Sequence, residues 1–285
     1  MLRLVLAALV CLAVQANAQE IDDHAQTASQ LDTIFINEVQ NLVEPDKVLH
    51  AEPLYIDLIR DLGARAGEAE WNAAFDLTDR LLNDRYRLLV EYEWAPVDRL
   101  GLEIELPVTL YTGQPNGYEK ARPSNRVESI KTAIQWTYHV DQTAALSLAV
   151  GYINELEFAD LDRISSAPLL SGNLFNPFAV IAKRWGNNVH TMLYTGIRTH
   201  WNFDSTSAST MFEANFSMHH MISGTRNFVG IETNGLVQDG RWNAVVRPQM
   251  RLGLSEHLLV GLGVSIPVER DSERLGMFIR MILEP

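Results

Sequence analysis

Residues 86–111 read YRLLVEYEWAPVDRLGLEIELPVTLY, two alternating runs joined by a short turn. In the first run Tyr86, Leu88, Val90, Tyr92 and Trp94 fall on one face. Arg87, Glu91 and Glu93 fall on the other, with Leu89 among them. After Ala95–Arg99, the second run puts Leu100, Leu102, Ile104, Leu106, Val108 and Leu110 on one face, and Glu103 and Glu105 on the opposite one. Successive side chains of a strand point to opposite faces, so each run makes a strand with an apolar face and a charged one. Strands of soluble sandwiches are usually about 5–6 residues long, whereas a tilted strand crosses a bilayer in about 9–11. The pair therefore reads as a hairpin of a transmembrane β-barrel.

The pattern repeats along the chain. Twelve strands are expected at about 69–78, 86–95, 100–111, 127–139, 144–154, 176–185, 189–201, 210–221, 227–234, 241–253, 258–267 and 275–283. Pro177 and Gly230 interrupt the sixth and ninth. Short connections (96–99, 141–143, 186–188, 223–226, 255–257) alternate with others that are mostly longer (112–126, 155–175, 202–209). Outer-membrane barrels pair short periplasmic turns with longer external loops and have an even strand number. If the first strand rises from the periplasm, every short turn falls on that side, and so do both termini. The six tryptophans agree: Trp71, Trp94, Trp136 and Trp185 fall at expected periplasmic ends, Trp201 and Trp242 at external ones. Indole rings prefer the headgroup level. The fold class is thus all-β, a closed antiparallel barrel of about twelve strands.

The N-terminus fits export. Met1-Leu2-Arg3, an apolar run from Leu4 to Val14 and Ala16-Asn17-Ala18 form a signal peptide over 1–18, with the mature chain beginning near Gln19. The single cysteine, Cys11, lies within it, so the mature chain is expected to have no disulfide and no thiolate metal site. Residues 19–68 form a polar N-terminal segment with two short helices. In the first, Leu31, Ile34, Phe35 and Leu42 recur at helical spacing, and Glu44-Pro45-Asp46 ends it. In the second, Leu54, Leu58, Ile59 and Leu62 form a stripe, with Pro53 at its start, Gly63 at its end, Arg60 opposite, and Asp57 and Asp61 along its edge. This stripe could plug the barrel of residues 69–285, or residues 31–64 could bind a periplasmic protein.

Two phrases carry a resemblance. LVEYEWAPVDRLGLEIELP (residues 89–107), with the twelve-strand pattern, resembles the outer-membrane barrels grouped around the "MetA pathway of phenol degradation" family. HAEPLYIDLIRDLGARAGEAEWN (50–72) looks like a hallmark of one bacterial branch. The resemblance covers about residues 50–285. It implies a barrel with a porin or transporter role and brings no catalytic residues. The ending Leu283-Glu284-Pro285 departs from the aromatic terminus common among outer-membrane proteins.

Charges on the inward faces are segregated by strand. Glu91, Glu93, Glu103 and Glu105 lie on the second and third strands, and Lys131 and Gln135 on the fourth. His190, Tyr194, Arg198 and His200 lie on the seventh, Arg247, Gln249 and Arg251 on the tenth, and Arg280 on the twelfth. Buried in lipid these would be costly, so a wet or salt-bridged lumen is expected. Carboxylates on one wall opposing guanidiniums on another could orient a small polar or zwitterionic solute. The alternative is a closed lumen in which the same charges form a structural network. The formal net charge of −13 argues against a nucleic-acid partner. Adjacent His219 and His220 point to opposite faces and suit no single metal site. Ser217 and His219 share a face, but no orienting group or oxyanion site accompanies them, which leaves a hydrolase a remote alternative. No catalytic residue, metal or cofactor is assigned. The expected partners are outer-membrane lipid and a small solute, and the expected function is a channel or transporter. The alternative function is a non-conducting structural or interaction protein.

Overall fold

The computed structural model describes residues 26–40, 44–56, 58–81, 83–113, 123–160, 168–270 and 273–285. The expected signal peptide with Cys11, and also Leu42 and Asp57, lie outside these residues. Among the described residues a helix over 26–40 is followed by irregular chain over 44–56 and 58–68 and then by thirteen strands. These are β1 (Ala69–Arg80), β2 (Asn83–Val97), β3 (Leu100–Gly113), β4 (Arg126–Val127), β5 (Ser129–Asp141), β6 (Leu146–Phe158), β7 (Leu170–Trp185), β8 (Val189–Asn202), β9 (Ser207–Met221), β10 (Phe228–Gln238), β11 (Arg241–Gly253), β12 (Leu258–Pro267) and β13 (Glu273–Leu283). All pairings are antiparallel between neighbours, and β1 pairs with β13, which closes the ring. Twelve long strands make the barrel, and the two-residue β4 is an extra piece beside β3.

Prolines mark the places where the ladder opens, because proline has no N–H to donate. Pairing of β3 passes from β5 to β4 at Pro107, β7–β8 pairing skips Pro177, and β11–β12 pairing skips Pro248. Pro177 therefore does not break the sixth expected strand, which runs the full length of β7. The connection at 239–240 is Asp239-Gly240, both with positive φ (51° and 74°), as a tight hairpin turn requires. Connections 81–82, 203–206 and 239–240 are as short as the opposite turns, so the length contrast rests on the 114–125 and 159–169 stretches.

Alternation sorts the two faces. Leu88, Val90, Ile104, Leu106, Ile134, Val150, Leu193 and Met281 are exposed on the outside, while Glu91, Glu93, Glu103, Gln135 and Arg280 are buried inside. Trp71, Trp136 and Trp185 stand out from the wall at one end, with Tyr92 and Trp94 stacked beside Trp71; Trp201 and Trp242 stand out at the other. From Val189 to Trp201, at about 3.3 Å per residue and a tilt of about 40°, the belt spans roughly 30 Å, a bilayer's hydrocarbon thickness. Among the described residues no helix is long and apolar enough to cross a membrane.

Residues 44–68 correct the expectation of a second helix. The described residues around Leu54, Leu58, Ile59 and Leu62 form bends and turns. The segment runs inside the barrel, and its apolar residues meet the wall on more than one side. Leu58, Ile59 and Leu62 pack with Ala133, Ala149, Phe178, Val180 and Met192. Ala51 and Leu54 pack with Met221, Phe228, Leu259 and Phe278. A helix satisfies its own backbone and buries one stripe; the centre of this segment is buried on more than one side and takes many of its backbone hydrogen bonds from wall side chains instead. The wall is small where the segment passes. A Cβ on Gly101 would stand 2.5 Å from Cβ of Arg60, and one on Gly261 would stand 2.8 Å from a Leu54 methyl.

Candidate functional site

Wall side chains serve as the hydrogen-bond partners that a helix or sheet would otherwise supply. The Ala51 N–H donates to His190 Nδ1 (2.9 Å), and the Leu54 N–H to Gln249 Oε1 (3.3 Å). The N–H groups of Tyr55 and Ile56 donate to the two oxygens of Glu232 (3.2 and 2.9 Å), and that of Gly63 to Thr137 Oγ1 (3.1 Å). In return Gln135 Nε2 donates to the Arg60 carbonyl (2.5 Å) and Arg280 to the Leu54 carbonyl (3.4 Å). Irregular backbone at membrane depth is tolerated only when protein or water satisfies it, and here protein does so.

The inward charges form a network with this segment. Arg280 pairs with Glu91 and lies 4.0 Å from Glu93. Arg60 pairs with Glu70 and reaches Glu93 at 3.7 Å. Lys131 bridges Glu103 (3.0 Å) and Glu105. The acidic and basic residues are therefore not held apart on opposing walls. Barrel closure sets β13 beside β1 and one strand from β2, and the inner segment brings in Arg60. Arg247 donates to Ser265 and Asn234, and its guanidinium lies 3.4 Å over the Tyr55 ring. Arg251 donates to the Arg226 carbonyl and covers Phe228. Arg198 stands apart from these tight pairs, half-buried, with Glu155 at 3.8 Å and Glu213 at 4.0 Å.

Several participants were not singled out by the sequence: Glu70, Glu155, Glu213, Glu232 and the amides Asn176, Asn215 and Asn234. The amides and Glu213 form a ladder across β7, β9 and β10. Asn176 and Asn215 donate to Glu213, and Asn234 donates to Asn215 and Glu232. Alternation puts all of them on inward faces; Glu70 and Glu155 repeat the spacing of Glu91/Glu93 with Glu68 and Glu157, whereas Glu213 and Glu232 are single acids in their strands.

Where the segment meets the short-turn end, Lys47 holds Asp61 and Glu68, each at 2.9 Å. Burial alone would lower the Lys47 ammonium, but the two carboxylates outweigh it and the net direction is upward. Burial alone would raise Asp61, but Arg60 and Lys47 hold it well below the usual carboxylate range. His50 donates to or accepts from Ser147 Oγ (2.9 Å); burial, then His190 and Arg184, push it down to about 3, so it is neutral at physiological pH. The helix over 26–40 sits at the same end, its Asp32 accepting from the Gly224 N–H and Ser223 Oγ in the β9–β10 turn. Among the described residues Ser217 Oγ has no hydrogen-bond partner, and His219 Nε2 is engaged by Gln249, so the two form no Ser–His pair. Glu91, Glu93 and Glu103 bring carboxylate oxygens within 4.8 Å of one another, with Arg280, Arg60 and Lys131 already against them.

Beyond the segment lies a cavity of about 590 Å³, floored by Leu54, Tyr55 and Ile56 and walled by charged and amide side chains including Arg87, Lys131, Glu155, Arg198 and Asn215.

A closed twelve-stranded barrel with an apolar outer belt, aromatic girdles and a charged lumen is a β-barrel of the outer-membrane type. Solved structures agree on the fold. The chain is similar to an outer membrane channel from Pseudomonas putida F1 (11% identity, TM-score 0.62, covering 86% of this chain and 100% of that one). It is also similar to the NanC porin (7% identity, TM-score 0.52, covering 75% and 98%). The chain belongs to the HAEPLYID-like family, whose sequence model matches residues 46–284. Residues 50–57 spell the family's name, and Ala51 and Leu54 among them pack inside the barrel against Met221, Phe228, Leu259 and Phe278. No protein of curated function matches the sequence.

Proposed function

We propose that this protein is an outer-membrane channel or transporter for a small solute, exported by its signal peptide, and that residues 44–68 hold its lumen shut at rest. The kinship with the MetA-pathway barrels is part of the same proposal, as is the placing of the short-turn end in the periplasm. One observation carries the reading. The segment is held by polar wall side chains, Glu232, His190, Gln249 and Thr137, beneath a polar cavity. Hydrogen bonds of this kind exchange with water at little net cost, which leaves the apolar contacts of Ala51, Leu54, Leu58, Ile59 and Leu62 as the main resistance to release.

Planar-bilayer conductance tests it with a reversible lock. Cγ of Leu54 lies 3.2 Å from where a Cβ on Gly261 would stand, within reach of a disulfide. The mature Leu54→Cys/Gly261→Cys protein should be silent when oxidised and conduct when reduced. Deleting residues 19–64 while keeping the signal peptide should give an inserted barrel that conducts more. Equal conductance in every form would overturn the reading.

A second reading is favoured by one feature: Leu31 and Ile34 of the 26–40 helix are 48% and 55% exposed. On that reading residues 31–64 bind a periplasmic protein and the barrel is a non-conducting anchor. Silence from the native protein, the reduced Leu54→Cys/Gly261→Cys variant and the deletion would favour it.

A further inference from the structure

The lumen holds two kinds of ion pair. Near the segment the pairs are in contact: Arg280 with Glu91, Arg60 with Glu70, Lys131 with Glu103 and Glu105. On the stretch of cavity wall around Arg198 and Arg87 they are not. Among the described residues Arg198 makes no hydrogen bond, its Nε has no partner, and its nearest carboxylates stand at 3.8 and 4.0 Å. Arg87 is similar, with Glu128 at 3.7 Å and an unpartnered Nε. Glu213 is occupied by Asn176 and Asn215. Glu155 faces Lys131 in register, but Lys131 is in contact with Glu103 and Glu105, and among the described residues Glu155 makes no hydrogen bond, its nearest guanidinium being Arg198 at 3.8 Å.

A guanidinium and a carboxylate that face each other without touching leave both groups' hydrogen-bonding capacity unused. We propose that the cavity binds a small zwitterion, an amino acid or dipeptide, with its carboxylate on Arg198 and its ammonium on Glu155. The proposal deepens the channel reading by naming its solute class, and rests on it for the route by which the solute passes on.

The charge next to each group disfavours the simpler alternatives. A lone anion on Arg198 would also meet Glu155 and Glu213, the two carboxylates within 4.0 Å of its guanidinium. A lone cation on Glu155 would meet Arg198. A molecule carrying both charges complements both groups. Ile153, Leu54 and the Tyr55–Ile56 floor add apolar surface for a side chain or peptide methyl. A cavity of about 590 Å³ has room for a dipeptide.

Isothermal calorimetry on the full mature chain in detergent tests this with L-alanyl-L-alanine, acetate, methylammonium and glucose. The dipeptide should bind, and each of the other three should bind at least about tenfold more weakly, the loss expected for one charge-assisted contact. Arg198→Gln and Glu155→Gln should each weaken the dipeptide about tenfold, with heat-modifiable migration on gels reporting that the barrel is intact. Dipeptide affinity unchanged in both variants, equal affinity for acetate or glucose, or no dipeptide binding at millimolar concentration would overturn it. Calorimetry reads binding and not passage, so a protein that binds the dipeptide but never conducts leaves this proposal standing and overturns the channel.

Discussion

Glu232 is the residue whose removal should do most to loosen the inner segment. It is 1% exposed, and its two oxygens take the backbone N–H groups of Tyr55 and Ile56 together with the amides of Asn234 and Gln249. Glu232→Leu keeps a comparable volume and leaves both N–H groups buried without acceptors. Each orphaned donor costs about 1–3 kcal/mol, so the docked segment should lose about 2–6 kcal/mol relative to a displaced one that water can solvate. At about 1.4 kcal/mol per tenfold, the displaced population should rise roughly thirtyfold to twenty-thousandfold. Ala51→Cys gives a readout, because Ala51 is buried in the segment and the only cysteine of the chain, Cys11, lies in the expected signal peptide. The rate at which a membrane-impermeant maleimide labels Cys at 51 should follow the displaced population, and Glu232→Gln, which keeps one acceptor oxygen, should fall between. A rate that stays within about twofold of the parent's, less than 0.5 kcal/mol on the same scale, in a correctly folded Glu232→Leu barrel would refute the claim that wall hydrogen bonds hold the segment.

Ile104 is 47% exposed and Glu105 is 7% exposed one residue along, so Ile104→Arg should impair membrane insertion by about 2–4 kcal/mol near the midplane while Glu105→Gln inserts normally. Equal insertion defects, measured as the heat-modifiable fraction, would mean the β3 faces are exchanged. Arg60→Met should lower stability to urea by about 3–5 kcal/mol, because Glu70 and Glu93 lose their buried partner, and adding Glu70→Gln and Glu93→Gln should restore most of it. His50 lies below its ordinary 6.5 at about 3, so the unfolded chain binds the extra proton: its contribution is complete above pH 6.5 and is lost as pH falls toward 3. Thermal midpoints of His50→Gln should therefore fall less than the parent's between pH 7 and pH 4, and parallel declines would show that His50 carries none of the acid sensitivity.

Alternation in residues 86–111 was enough to settle the barrel, because the two-residue period of a strand is local: each residue's face follows from its neighbours, and lipid and lumen demand opposite chemistries. The same logic placed Ile104 outside and Glu105 inside and put the tryptophans at the belt's edges. Glu213 and Glu232 were legible by the same rule, as single acids in apolar runs, and Glu155 as half of an alternating pair with Glu157. The conformation of residues 44–68 was not. The spacing of Leu54, Leu58, Ile59 and Leu62 suits a helix, but their environment is a barrel interior that contacts the chain on several sides and supplies its hydrogen bonds from Glu232, His190, Gln249 and Thr137. Those acceptors lie far away in sequence, on strands that meet the segment only after the ring closes. Ion pairing was fixed the same way: Arg280 reaches Glu91 across a sequence separation of 189 because β13 pairs with β1. Sequence determined which face each charge occupies; closure of the barrel decided which charge it meets, because pairing depends on distances that no local period encodes.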